Sequence, residues 1–409
     1  MICTALVDIC TALEDSVLTQ SLADAILEAE KVIAGAPHIE TEQDLLEGYE
    51  YLAGSVRAAV QSAFAHEKDF PFFMRSATPY TKLGLDNPDT LYFSARIRAD
   101  AEYVVTGTRG TTADLSFQIL SGDYNPEDVP DSLQAFDDRE VHVEPDGTFV
   151  MHFGPSRDTD PSDDVRRNYF TLAPGANMLL VREVWSDWTA TPGTIRIQRV
   201  DKIGAAPPPL TEQLLERRFD SAGKALVQQL KTFLQFPEWF YLKLPVNTMT
   251  EPRLTPGGLA TQYSSVGHYD LRDDQALIVT VPASDAPYQG FQLGSMWYVS
   301  LDFANHQTSL TAHQAQHDAD GMIRFVVSER NPGVANWLET TGHRRGYLQI
   351  RWQRTSREFT VADGPTVELV DIAELPARLG YYEQARVTPE QWRERIAARQ
   401  AAVANRMLG

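Results

Sequence analysis

Phe117-Gln118 and Asp146-Gly147 recur as Phe291-Gln292 and Asp320-Gly321, about 174 residues further on and with the same spacing inside each set. Each Asp-Gly is followed by an Asn-aromatic pair, Asn168-Tyr169 and Asn336-Trp337. Each half then closes on an apolar stretch carrying an arginine, Leu179-Leu180-Val181-Arg182 and Leu348-Gln349-Ile350-Arg351. Two-residue matches arise by chance, but four in the same order point to duplicated architecture. The later elements slip by several residues, as a loop insertion in the first copy would cause. Features present in one copy only then become the first place to look for function.

The pattern within each copy is period two. Leu91, Phe93, Ala95 and Ile97 alternate with Tyr92, Ser94 and Arg96. Val141-His142-Val143 and Phe149-Val150-Met151 flank Glu-Pro-Asp-Gly, a hairpin signal. Short strands punctuated by Gly, Pro and Asp predict antiparallel sandwiches rather than βαβ units. Elsewhere the spacing is helical. Residues 41–64 carry an apolar stripe through Leu45, Tyr49, Leu52 and Val56, and residues 21–33 a weaker one. After Pro207-Pro208-Pro209 a third helix is expected over 211–236, and a fourth after Thr388, where Thr388 and Gln391 match a capping box.

The expected fold is therefore mainly β with flanking helices (α+β): two antiparallel β-sandwich, jelly-roll-like domains joined by a helix, with helical ends. The boundaries read as a helical segment at 1–70, a first sandwich at 71–206, a helical connector at 207–254, a second sandwich at 255–356 and a helical tail at 357–409. The acidic stretch 158–164 reads as an exposed loop.

Composition limits the function classes. The 409 residues hold 56 acidic against 36 basic side chains, a net charge of −20, which repels phosphate backbones and anionic lipid heads. Nucleic-acid binding is not expected. Cys3 and Cys10 are too few for a disulfide framework. Residues 1–10 lack a cationic start, and no window reaches the 18 or so apolar residues of a spanning helix. A cytoplasmic protein with no membrane span is expected. Glycine-rich phosphate loops, Gly-x-Ser-x-Gly, Cys-x-x-Cys and His-Glu-x-x-His are missing, and no cofactor is implied.

Subtracting the repeat isolates the turn Gly84-Leu85-Asp86-Asn87-Pro88-Asp89-Thr90-Leu91-Tyr92. Its plainer reading is a rigid turn that launches a strand. Its functional reading makes Asp86 and Asp89 acid–base groups, with Asn87 and Tyr92 beside the substrate. Arg182 shares a strand face with Leu180 and Val184. A structural ion pair with Asp86, Asp89 or Asp187 is favoured over an anion site. Trp185, Trp297 and Trp337 either line a substrate cleft with Asp187 or fill ordinary core. In a hairpin closed by Asp318-Ala319-Asp320-Gly321, His313 and His317 fall on one face with Arg324, whose charge opposes a metal, so a solvated face is the better reading and no metal is assigned.

At Asp86 to Tyr92, at Arg182 to Trp188, and at Asn336-Trp337-Leu338 leading into Tyr347 to Trp352, the chain resembles domain-of-unknown-function 1214 proteins. Those often carry a companion domain, 1254, whose Asn-x-Asp-Thr-x-Tyr turn is similar to Asn87 to Tyr92. The C-terminal match covers about 288–354, and Glu339-Thr340-Thr341 stands where that family has a proline-rich turn. The resemblance implies β-sandwiches of jelly-roll character but no established reaction and no transferable catalytic residue. Some members resemble accessory proteins of lipid or steroid breakdown. Two expectations follow. One is an enzyme acting on a neutral small molecule, sugar-, lipid- or steroid-derived, through Asp86 and Asp89 with Arg182 as orienter. The other is a non-catalytic ligand-binding or assembly protein, possible as a homo-oligomer.

Overall fold

The structure is a computed structural model that describes residues 17–65, 67–122, 130–156, 167–254 and 262–407. Cys3, Cys10 and the acidic stretch 158–164 lie outside the described residues.

Alternation along β2 (Thr90–Arg96) puts Phe93 and Ala95 into an apolar core and leaves Tyr92, Ser94 and Arg96 on the opposite face. The core is sealed by two layers. One runs in the order β1 (Met74–Arg75), β2, β8 (Met178–Val184), β4 (Asp114–Leu120), β5 (Ser132–Asp137). The other runs β7 (Tyr169–Thr171), β6 (Thr148–Gly154), β3 (Tyr103–Thr108), β9 (Thr194–Arg199).

The second sandwich repeats that order strand for strand. Its larger layer runs β10 (Thr248–Met249), β12 (Tyr263–Asp270), β18 (Arg345–Gln353), β14 (Tyr288–Gly294), β15 (Ser309–Thr311), with β11 (Arg253–Leu254) also paired to β12. Its smaller layer runs β17 (Trp337–Glu339), β16 (Met322–Ser328), β13 (Gln275–Pro282), β19 (Thr366–Asp371). All named pairs are antiparallel except β6·β7 and β16·β17, the same short parallel pair in each copy.

The repeated residues hold equivalent posts. Phe117 and Phe291 face the two cores, opposite Val181 and Ile350. Asn168 Nδ2 donates to the carbonyls of His142 and Val150, and its Oδ1 accepts from His142 N. Asn336 makes the same three bonds with Gln316 and Arg324. Each asparagine thus satisfies backbone groups that the sheet leaves unpaired. Arg182 Nη1 donates to Gln118 Oε1 at 2.8 Å, and Arg351 Nη1 donates to Gln292 Oε1. The repeated words are partners of one another, which is why they persist together in both copies.

Three helices, α1 (Gln20–Ala34), α2 (Glu42–Ala65) and α3 (Glu212–Phe240), pack together, although α2 buries Gly48, Tyr51, Leu52, Ser55 and Ala59 and leaves Tyr49 of the expected stripe exposed. They lie across the outward faces of the two larger layers. The last turns of α3 place Phe233, Phe236 and Tyr241 against Tyr298 and Tyr347 of the second sandwich. A fourth long helix, α4 (Pro389–Met407), starts with the expected capping box between Thr388 and Gln391.

Three local expectations are corrected. Residues 141–143 form no strand: the Glu144–Gly147 turn is present, but β6 pairs with β3 and β7 instead. Periodicity cannot reveal that a long-range partner outcompetes a local one. The 357–409 tail is not wholly helical, because Thr366–Asp371 is the edge strand β19 that completes the second sandwich. Residues 312–314 form a turn, so the exposed His313 and His317 are not on a strand face at all. His317 bonds to Ala312 O, and among the described residues no three His, Cys, Asp or Glu side chains converge as a metal site. No described helix is long and apolar enough to cross a membrane.

Candidate functional site

The unrepeated turn is the seam between the sandwiches. Gly84 (φ +65°) and Leu85 (φ +49°) are consecutive left-handed residues, and a Cβ on Gly84 would sit 2.8 Å from the Phe233 ring. A branched-out leucine holds this backbone only because its surroundings over-determine it. Leu85 is buried, its N–H bonds to Tyr298 O, and its carbonyl accepts from Arg351 Nη2 at 2.7 Å.

The two carboxylates of the turn are both committed to the protein. Asp86 accepts from Ser300 N at 3.0 Å and from Ser300 Oγ at 2.8 Å. Asp89 accepts from Trp188 Nε1 at 2.7 Å and from Tyr288 Oη at 2.8 Å, while Asn87 Nδ2 donates to that same hydroxyl. Burial pushes the Asp89 carboxyl up; the bonds from Tyr288 and Trp188 and the charges of Arg406 and Arg399 oppose it. Those two arginines belong to α4. Arg399 lies 4.5 Å and Arg406 4.2 Å from the Trp188 ring centre, and burial brings them down to about 9 and about 10. The Asn-Pro-Asp turn therefore anchors a buried polar network that joins both sandwiches to the C-terminal helix.

In front of the turn lies a cavity of about 670 Å³. Its floor is the outward face of β2 and β8, with Tyr92, Ser94 and Arg96 beside Arg182, Leu180 and Met178. Its side wall comes from the second sandwich through Gln349, Arg351 and Gln353. Its roof is α2 and α3, where Ala58, Ala59, Ala63 and Ala225 leave room. Five cationic side chains line it, Lys68, Arg75, Arg96, Arg182 and Arg351, against one carboxylate, Asp86, among the described residues. That bias runs against a chain whose net charge is −20.

The predicted ion pair of Arg182 is not formed. Its Nη1 donates to the Gln118 amide oxygen, and Arg351 meets an amide oxygen and a main-chain carbonyl; among the described residues neither guanidinium meets a carboxylate. Partly buried Arg75 is pushed down by burial, and its Nη2 donates to the Arg406 carbonyl at 3.1 Å. Uncompensated guanidinium charge on a cavity wall is costly unless an anion or water meets it.

Of the expected site residues, the structure brings Asp86, Asn87, Tyr92 and Arg182 to this cavity and leaves five elsewhere. Asp89 sits behind the turn. Trp185 is fully buried near Arg406. Asp187 caps its own loop by accepting from Thr189 and lies 3.7 Å from His313. Trp297 donates to Asp44 O and wedges against α2 at Gly48, where a Cβ would lie 2.3 Å from the indole. Trp337 donates to Ser328 O and packs on Trp392. Sequence reasoning missed Arg351, Arg96, Arg75 and Lys68. The signal for Arg351 was present in the repeat itself, where it was set aside as scaffold.

Over 89% of this chain and 99% of the other, the fold is similar to the crystal structure of an uncharacterised protein from Burkholderia cenocepacia, at 28% identity and a TM-score of 0.79. The VPA0106 protein from Vibrio parahaemolyticus aligns over 79% of this chain and 98% of its own, at 11% identity and a TM-score of 0.44. No family model matches the chain, and none of the curated proteins is similar to it.

Proposed function

We propose that this protein binds a small organic anion in the cavity between its helical layer and the two larger sheets. The observation that carries this is the duplicated Gln–Arg pair: Gln118–Arg182 and Gln292–Arg351 present two oriented guanidinium groups to one cavity. An amide oxygen orients a guanidinium without neutralising it, so the charge stays available to a ligand. The volume of about 670 Å³ suits a metabolite-sized molecule. Leu180, Met178 and the roof alanines favour a ligand with an apolar body behind its acid group.

The expectation of a neutral substrate worked on by Asp86 and Asp89 has less support. Ser300 already occupies both Asp86 oxygens, and Asp89 does not line the cavity. Ligand binding is the better reading of this geometry. Titration calorimetry with nonanoate and its neutral counterpart 1-nonanol tests it. Nonanoate should bind and 1-nonanol should not match it; Arg182→Gln should weaken nonanoate by at least about tenfold, the scale of one lost charge-assisted bond. Equal affinity for acid and alcohol would overturn the proposal.

A further inference from the structure

A second, much smaller chamber of about 30 Å³ lies beside the Asn-Pro-Asp turn. Arg75, Thr90 and Arg406 line it with Pro88 and Tyr92, and Phe303 and Val403 add an apolar wall. Three elements meet there: β1 through Arg75, β2 through its first residue, Thr90, and α4 through Arg406 in its last turn.

Both guanidinium groups give hydrogen bonds to main-chain carbonyls. Arg75 Nη2 donates to Arg406 O at 3.1 Å, which caps the end of α4, and Arg406 Nη1 donates to Pro88 O at 2.9 Å. Carbonyls orient a guanidinium but leave its charge in place. Neither arginine forms an ion pair among the described residues. Three buried groups are left over: Arg75 Nε, Arg406 Nε and the Thr90 hydroxyl meet no hydrogen-bond partner. Thr90 is 7% and Arg406 6% exposed, so bulk water does not serve them. An unmet buried donor is costly, most of all on a charged group. The two charges also bear on each other, Arg75 adding to the burial that depresses Arg406 while Asp89 opposes it. One carboxylate touches the chamber, Asp86, and Ser300 holds both its oxygens.

We propose that this chamber is a halide site, in which one chloride-sized anion accepts from Arg75 Nε, Arg406 Nε and the Thr90 hydroxyl and pins the end of α4 to the first sandwich. The volume admits a single water-sized particle, which excludes carboxylates, phosphate and sulfate. A water would satisfy the donors but bring no charge to two neighbouring buried guanidinium groups, and an anion does both. The site shares Arg75, Asp86, Asn87 and Tyr92 with the wall of the larger cavity, yet it does not depend on what that cavity binds.

The test is thermal unfolding of the full chain in sodium chloride, sodium bromide and sodium gluconate at equal ionic strength. The midpoint should rise with either halide and saturate, by about 2 °C or more, and stay level in gluconate. Arg75→Lys keeps the charge and removes the Nε donor, and Thr90→Val keeps the shape and removes the hydroxyl. Each should raise the half-saturating halide concentration at least about fivefold. A crystal grown in bromide should show an anomalous peak in the chamber. No halide dependence, with a water in the chamber, overturns the inference. A bromine peak without halide dependence in solution marks an adventitious ion only and overturns it too, as does unaltered half-saturation in both variants. Should a variant not fold, the unaltered protein and the bromide crystal still decide.

Discussion

Replacing Tyr288 with phenylalanine removes one hydroxyl from the centre of the seam. That hydroxyl donates to Asp89 Oδ2 at 2.8 Å and receives Asn87 Nδ2 at 2.9 Å, and all three side chains are buried. The substitution leaves the ring in place, so no sizeable void is made. The lost bond to the Asp89 carboxyl is worth about 1.5–3 kcal/mol and the stranded Asn87 donor about 1–3 kcal/mol. A loss of about 3 kcal/mol is expected in equilibrium denaturant unfolding, with the slope of the transition unchanged. A double-mutant cycle with Asp89→Asn isolates the pair: the two changes together should cost at least about 1 kcal/mol less than their sum, since each removes the same bond. Strict additivity, or a Tyr288→Phe loss under about 0.5 kcal/mol, would show that the seam is not held by this network.

Two further outcomes are expected. Burial holds the Asp114 carboxyl up to about 7 despite Arg354 at 3.7 Å, because desolvation outweighs that contact and Asp137 and Asp138 add repulsion. A folded pKa above the unfolded value means its contribution is present at pH below about 4 and is lost as pH rises through 7. Asp114→Asn should therefore raise stability at pH 8 by about 4 kcal/mol relative to its effect at pH 4, read from denaturant midpoints at the two pH values; a pH-independent difference contradicts the assignment. Asn168→Ala and Asn336→Ala each strand one main-chain N–H and two carbonyls, and each should cost about 2–4 kcal/mol. Because the contacts are the same in both copies, the two losses should agree within about 1 kcal/mol; thermal unfolding of both variants checks this.

The duplication was legible in residue order because both copies keep the same partnerships. Gln118 needs Arg182, and Asn168 needs two carbonyls at set distances along the chain, so the words and their sequence survive. The helices were legible too, since each buries one stripe against the sheets. Less legible were the strands whose partners are remote, such as β19, and the non-strand at 141–143, because pairing depends on which edge is free in three dimensions.

The site divided the same way. Asp86, Asn87, Tyr92 and Arg182 could be picked out as unusual, and the fold gathers them. Their roles depended on neighbours far away in the chain: Ser300 for Asp86, Tyr288 and Trp188 for Asp89. By itself, the sequence determined the two-sandwich plan, the helical segments and the residues worth suspecting, because periodicity and repetition are local or ordered signals. Only the tertiary structure decided that Asp89 is sealed in a seam and that Arg182 and Arg351 face one cavity without a carboxylate partner among the described residues. Charge compensation is set by distance in space, and the one carboxylate on that cavity among the described residues, Asp86, is held by Ser300.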